Sequence, residues 1–170
     1  MIVLGIDPGI SNTGFGVVER RSGEVIALDG GVVVTSPDTP LELRLAAIAE
    51  RVDALIDDYS PAALAIESIF FGKNVETAFL VGQARGAIVA TAGRHRIPVH
   101  SYTPQQIKLA VCGAGGAGKE QVQRMVVALL RLEGPLPPDH AADALAVGIC
   151  HVNAAPMADA VAAAHTVASL

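Results

Sequence analysis

Residues 1–14, MIVLGIDPGISNTG, constrain the fold more than any other stretch of the chain. Ile2, Val3 and Leu4 form an apolar, partly β-branched run, the pattern of a strand covered on both faces. The run delivers a carboxylate, Asp7, directly into Pro8 and Gly9, which end the ladder and open a tight turn. A charge at the mouth of a buried strand is costly unless something pairs with it. Two partners would satisfy Asp7. One is a Mg²⁺ or Mn²⁺ ion facing a phosphate-bearing substrate. The other is the turn itself, capped through Ser11 or Asn12.

The remaining elements read as one α/β domain. Residues 13–19 and 24–35 are predicted strands that complete a three-stranded antiparallel meander, with Gly30-Gly31 marking a bulge or bend. Thr39-Pro40-Leu41-Glu42 has the form of a capping box. It opens a helix with Leu41, Leu45, Ile48, Val52, Leu55 and Ile56 at helical spacing, stopped by Ser60-Pro61. Residues 62–67 form a short apolar strand that ends, like the first, on a carboxylate, Glu67. Residues 70–74 are a loop. The helix predicted over 75–93 carries a seam of Gly82, Gly86, Ala90 and Gly93. Each helical Gly costs about 1 kcal/mol relative to Ala, so a close neighbour is expected there, either the sheet or a symmetry-related helix. A fifth strand over 97–102 is followed by a second capping box, Thr103-Pro104-Gln105-Gln106, and by helices over 104–111, 119–132 and 139–152. Residues 153–170 are Ala-rich and weakly patterned, a frayed helix or a disordered tail. The expected layout is one domain over 1–152 with a mixed five-stranded sheet, three antiparallel strands then two parallel ones, flanked by helices.

Composition removes several function classes. No run of apolar residues is long enough for a membrane span, and no basic segment precedes an apolar run as in a secretory signal. Cys112 and Cys150 lie apart in apolar contexts, as expected of reduced thiols in a cytoplasmic protein. The net charge of −5 is unevenly spread: residues 1–67 carry −7, residues 68–131 carry +6 and residues 132–170 carry −4. A basic middle between acidic flanks suits a phosphate-binding face beside a carboxylate cluster.

The third part of that cluster falls at residues 139–143, DHAAD. His140 and Asp143 are three apart and share a helical face; Asp139 and Asp143, four apart, do too. Asp139 follows Pro137-Pro138, where an N-cap belongs, so it reads as either a cap or a ligand. Ala141, Ala142 and Ala144 would let this helix lie close to the sheet and bring His140 and Asp143 to Asp7 and Glu67.

Four collinear motifs resemble the RuvC family of Holliday-junction resolvases: GIDPGxxxTGxG at 5–16, AIExxFxxKN at 65–74, GQARG at 82–86 and AADALA at 141–146. The resemblance implies an RNase H-like fold and a homodimer. It implies a metal-binding catalytic set of Asp7, Glu67, Asp143 and the residue three before it, His140, where many members have Asp. It also implies a four-way DNA junction as substrate, and a branch-migration complex of RuvA and RuvB type as partner. Two divalent ions roughly 4 Å apart, Mg²⁺ or Mn²⁺, would clamp the attacking and leaving oxygens of a phosphodiester; one imidazole ligand shifts the balance toward Mn²⁺. Lys73, Asn74, Arg85, Lys108, Lys119 and Arg124 are candidates for DNA contacts, and Phe70 for stacking on an unpaired base.

Three rivals compete. A catalytically silent junction-binding scaffold would not need the acids. An actin- or sugar-kinase-like ATPase shares the first motif but needs two such domains. Residues 113–119 nearly spell a P-loop, yet Glu120 replaces the required Ser or Thr.

Overall fold

Ile2–Asp7 forms β1, the central strand of a five-stranded sheet. On one side, β2 (Asn12–Arg21) and β3 (Glu24–Val34) continue it as an antiparallel meander. On the other, β4 (Ala63–Glu67) and β5 (Val99–Tyr102) run parallel to it, giving the order β3-β2-β1-β4-β5. The structure, a computed structural model, describes residues 1–68, 75–133 and 137–168, with side chains through residue 154. Among the described residues five helices complete it: α1 (Leu41–Tyr59), α2 (Val75–Arg94), α3 (Pro104–Cys112), α4 (Lys119–Leu129) and α5 (Asp139–Ala168). The expected α/β, RNase H-like arrangement of three antiparallel and two parallel strands is the one observed.

Strand alternation sorts the core into two layers. Leu4, Ile6, Leu64 and Ile66 face α1 and α2, packing with Ile48, Val52, Leu55, Ala84 and Ile88. Val3, Ala65 and Val18 face the opposite layer, where they meet Leu145, Ile149 and Val152 of α5 with Val122 and Val126 of α4. Both faces are covered, which is why β1 and β4 carry near-continuous apolar runs.

Two local expectations change. Gly30 and Gly31 stay in register with Gly16 and Phe15; the irregularity lies at Leu28, the extra β3 residue between the partners of Val17 and Val18. Gly31 answers a packing need instead, since a Cβ there would stand 2.7 Å from the Phe15 ring. Thr39 does not cap α1: Pro40 holds the cap position with no side-chain bond, and the Thr39 N–H donates to the Ser36 carbonyl at 3.1 Å. The second box does form, with Thr103 and Gln106 exchanging bonds of 2.9 and 3.2 Å. The glycine-rich segment after Gly113 follows helix α3, not a strand, so it lacks the strand–loop–helix setting of a P-loop.

Candidate active site

β1 and β4 are parallel neighbours, with Ile6 beside Ile66, so Asp7 and Glu67 leave the sheet side by side at its carboxyl edge. This is the edge where α/β folds place ligands. Alternation puts Asp7 in the row of Val3 and Gly5, and Glu67 in the row of Ala63 and Ala65. Both rows face α5.

Helix α5 reaches these acids because strand residues under it lack side chains. A Cβ on Gly14 would stand 1.9 Å from the His140 carbonyl oxygen. One on Gly5 would stand 2.2 Å from the Ala144 carbonyl and 2.7 Å from the Gly148 nitrogen. Ala141, Ala142 and Ala144 are buried on the helix side of the same contact. The helix backbone therefore lies on the strand backbone, and short side chains on α5 span the remaining gap.

His140 Nδ1 donates to Asp7 Oδ2 at 2.7 Å. Ligand atoms of Asp7, His140 and Asp143 all lie within 4.8 Å of one another. Of Asp139 and His140, it is His140 that meets Asp7. Asp139 opens α5, with the Pro138 carbonyl taking the Ala142 N–H, and its exposed carboxylate turns outward. There it accepts from Gln123 Nε2 at 2.7 Å and pairs with Lys119 Nζ at 3.1 Å. Ser11 does not serve Asp7 either: its hydroxyl accepts from Arg44 Nη2 at 2.9 Å, while Arg44 Nε reaches Thr35 at the same distance. The buried Arg44 thus braces the loop after Asp7 from α1.

The electrostatics are unfavourable for so many acids alone. Burial, then the charges of Asp7 and Asp143, push the Glu67 carboxyl up to about 7, with Lys108 opposing. Burial also raises Asp143, against the pull of Lys119 at 3.6 Å. Lys119 is raised in turn, chiefly by its bond to Asp139. Three carboxylates and an imidazole that crowd one another in this way match a hard divalent cation, which would relieve the repulsion that burial amplifies. The residues present fit such an ion.

A cavity of about 230 Å³ opens beside the acids, lined by Glu67, Asp143, Lys108 and Lys119, with Ile107 and Val122 on its walls. Two of the expected DNA-contact residues, Lys108 and Lys119, are therefore at the site. Arg124 is exposed on α4 and does not line the cavity. Arg85 spends two donors within the protein, Nη1 on the Glu67 carbonyl at 2.9 Å and Nη2 on Ser101 Oγ at 2.7 Å. Phe70, Lys73 and Asn74 lie outside the described residues. Sequence reasoning missed the grip of Lys119 and Gln123 on Asp139, although their spacing of one helical turn was a readable signal.

Comparison with known proteins follows the same lines. Residues 3–151 match the family described as crossover junction endodeoxyribonuclease RuvC. A crossover junction endodeoxyribonuclease RuvC from Roseiflexus is 50% identical over 154 residues, covering 91% of this chain and 92% of that one. The Thermus thermophilus RuvC structure superposes with a TM-score of 0.85 at 40% identity, covering 93% of this chain and 97% of that one. T. thermophilus RuvC in complex with Holliday junction substrate gives 0.89 at 41% identity, covering 93% and 96%. No helix among the described residues is long and apolar enough to cross a membrane.

Proposed function

This chain belongs to the RuvC family of crossover junction endodeoxyribonucleases, divalent-metal nucleases that resolve Holliday junctions, and we propose that its chemistry is centred on Asp7, Glu67, His140 and Asp143. The observation that carries this reading is the convergence of Asp7, His140 and Asp143 within 4.8 Å, beside a Glu67 whose ionisation burial, then the charges of Asp7 and Asp143, disfavour.

Asp7, His140 and Asp143 would hold the metal, with Glu67 completing the set from the adjacent strand. Bound divalent ions supply an activated water and neutralise charge on the phosphate and the leaving 3′-oxygen. Lys108 and Lys119 line the same cavity as Glu67 and Asp143, where they would place positive charge on an incoming phosphate. Phosphate contacts by these lysines and by Arg124 would hold DNA without reading sequence. Phe70 is assigned to stacking on an unpaired base near the crossover, and Lys73 and Asn74 to DNA contacts, on sequence alone.

The substrate is a four-way junction, cut by paired symmetric nicks, by analogy with the T. thermophilus protein whose structure contains one. Two opposed cuts call for two sites, hence a homodimer. On α2, Gly86 and Gly93 have open space where a Cβ would stand, and Phe79 beside them is exposed, so this face suits a second copy. We assign the nuclease unit to residues 1–152, because among the described side chains those of α5 pack into the core as far as Val152 and the family match ends one residue earlier. Work on recombining chromosomal DNA in the cytoplasm, with a branch-migration complex of RuvA and RuvB type, completes the proposal.

Incubating the protein with a labelled four-way junction and Mn²⁺, without nucleotide, should yield symmetric nicks on opposed strands. A junction shifted in a gel but left whole would overturn the reading in favour of a scaffold.

A further inference from the structure

Arg85 sits on α2 between Ala84 and Ile88, both fully buried against the sheet. It extends along the sheet edge to two strands at once. Nη1 donates to the backbone carbonyl of Glu67, the last residue of β4, and Nη2 to the hydroxyl of Ser101 on β5. The Ser68 N–H already donates to the Tyr102 carbonyl at 2.8 Å, so the ladder runs out at this peptide.

A strand end is a weak place to hold a carboxylate against its neighbours. Asp7 and Asp143 repel Glu67, and a small shift of the backbone at Glu67 would carry its side chain away from them. The guanidinium, bonded to the Glu67 carbonyl, opposes that shift. Its planar fork can grip a carbonyl and a hydroxyl on separate strands; a lysine ammonium is a point donor that cannot span both.

We propose that Arg85 is a positioning residue for Glu67, acting through the β4 carbonyl and anchored by Ser101, rather than a contact to DNA phosphate. This rests on the reading of Glu67 as a member of the metal-binding set. Groups behind metal ligands commonly change metal affinity or activity by 10–100-fold when removed.

Three measurements on Arg85→Ala, Arg85→Lys and Ser101→Ala separate the two roles. They are Mn²⁺ affinity of the DNA-free protein by calorimetry, junction affinity across a salt series in EDTA, and single-turnover cleavage. Positioning predicts Mn²⁺ affinity about 10-fold weaker and cleavage about 100-fold slower in Arg85→Ala, little rescue by Lys, and a smaller loss of the same kind in Ser101→Ala. Junction affinity and its salt slope should stay at wild-type values. A salt slope reduced by about 1 with unchanged Mn²⁺ affinity would make Arg85 a phosphate contact and overturn the proposal. If Arg85→Ala does not fold, Ser101→Ala decides: wild-type Mn²⁺ affinity and rate in that variant overturn it. Wild-type cleavage by Asp7→Asn would instead overturn the metal-centre reading itself.

Discussion

Glu67 carries the sharpest conflict in the site, and the conflict has a measurable sign. Its carboxyl is raised from 4.5 to about 7 in the folded, metal-free protein. The folded state then holds this proton more tightly than the unfolded chain. The resulting stabilisation is present at low pH and disappears as pH rises from 4.5 through about 7. In EDTA, the melting temperature of the wild type should therefore fall across this window more steeply than that of Glu67→Gln, and Mg²⁺ should remove the difference. Parallel melting curves for the two proteins at every pH would contradict the assigned environment. His140 makes a second prediction at this scale. An imidazole among carboxylates favours Mn²⁺, so cleavage at saturating Mn²⁺ should exceed that at saturating Mg²⁺, and His140→Asp should narrow the gap. Equal rates with both metals in the wild type would count against it. Glu67, like Asp7, was conspicuous in the sequence because each is a charge that ends an apolar run, whereas His140 was marked only by its spacing from Asp143 and by the family resemblance. Which of Asp139 and His140 turns inward was not, since both share a helical face with Asp143; only the seating of α5 decides it.

At the scale of elements, the seating of α5 on β1 and β2 determines whether the site exists. The alanines of the helix announced a close approach, but Gly5 and Gly14 read only as strand and turn spacing. Their role depends on α5, more than a hundred residues away, and no local pattern reports such a partner. Gly14→Ala would force the His140 carbonyl to retreat from 1.9 Å. A misplacement of about 1 Å near reacting groups can slow a reaction about 100-fold. Gly14→Ala should lower single-turnover cleavage by about that factor while the protein still folds and binds junctions; an unchanged rate would show that the contact has slack. The glycine seam of α2 was legible as a seam but not as to its partner. At Gly86 and Gly93 a Cβ would meet no described atom within 4 Å, so the sheet is not the close neighbour there, and a second copy is the neighbour we propose. Gly86→Leu should shift sedimentation from dimer to monomer and slow the second nick more than the first. An unchanged dimer would move the interface elsewhere. The Thr39 capping box failed where that of Thr103 succeeded because the segment before α1 closes its own turn at Ser36.

Across the whole molecule, the topology explains how a net acidic chain can act on a polyanion. The sheet delivers Asp7 and Glu67 to one edge, and α5 adds His140 and Asp143 from the far end of the sequence. The basic middle of the chain supplies α3 and α4, which bring Lys108 and Lys119 to the same cavity. Acid and base are thus segregated along the sequence and interleaved in space. The order of strands and helices followed from hydrophobic periodicity, so the fold was readable almost throughout. The bracing of the site by Arg44, Arg85 and Asp139 was not, because those contacts link elements whose pairing only the fold defines.

The most direct measurement is cleavage of a four-way junction by Asp7→Asn under single-turnover conditions, with junction affinity measured in parallel. The metal centre predicts intact binding and a rate lower by at least about 1,000-fold, equivalent to roughly 4 kcal/mol of transition-state stabilisation. Cleavage at the wild-type rate would place the chemistry outside the set formed by Asp7, Glu67, His140 and Asp143.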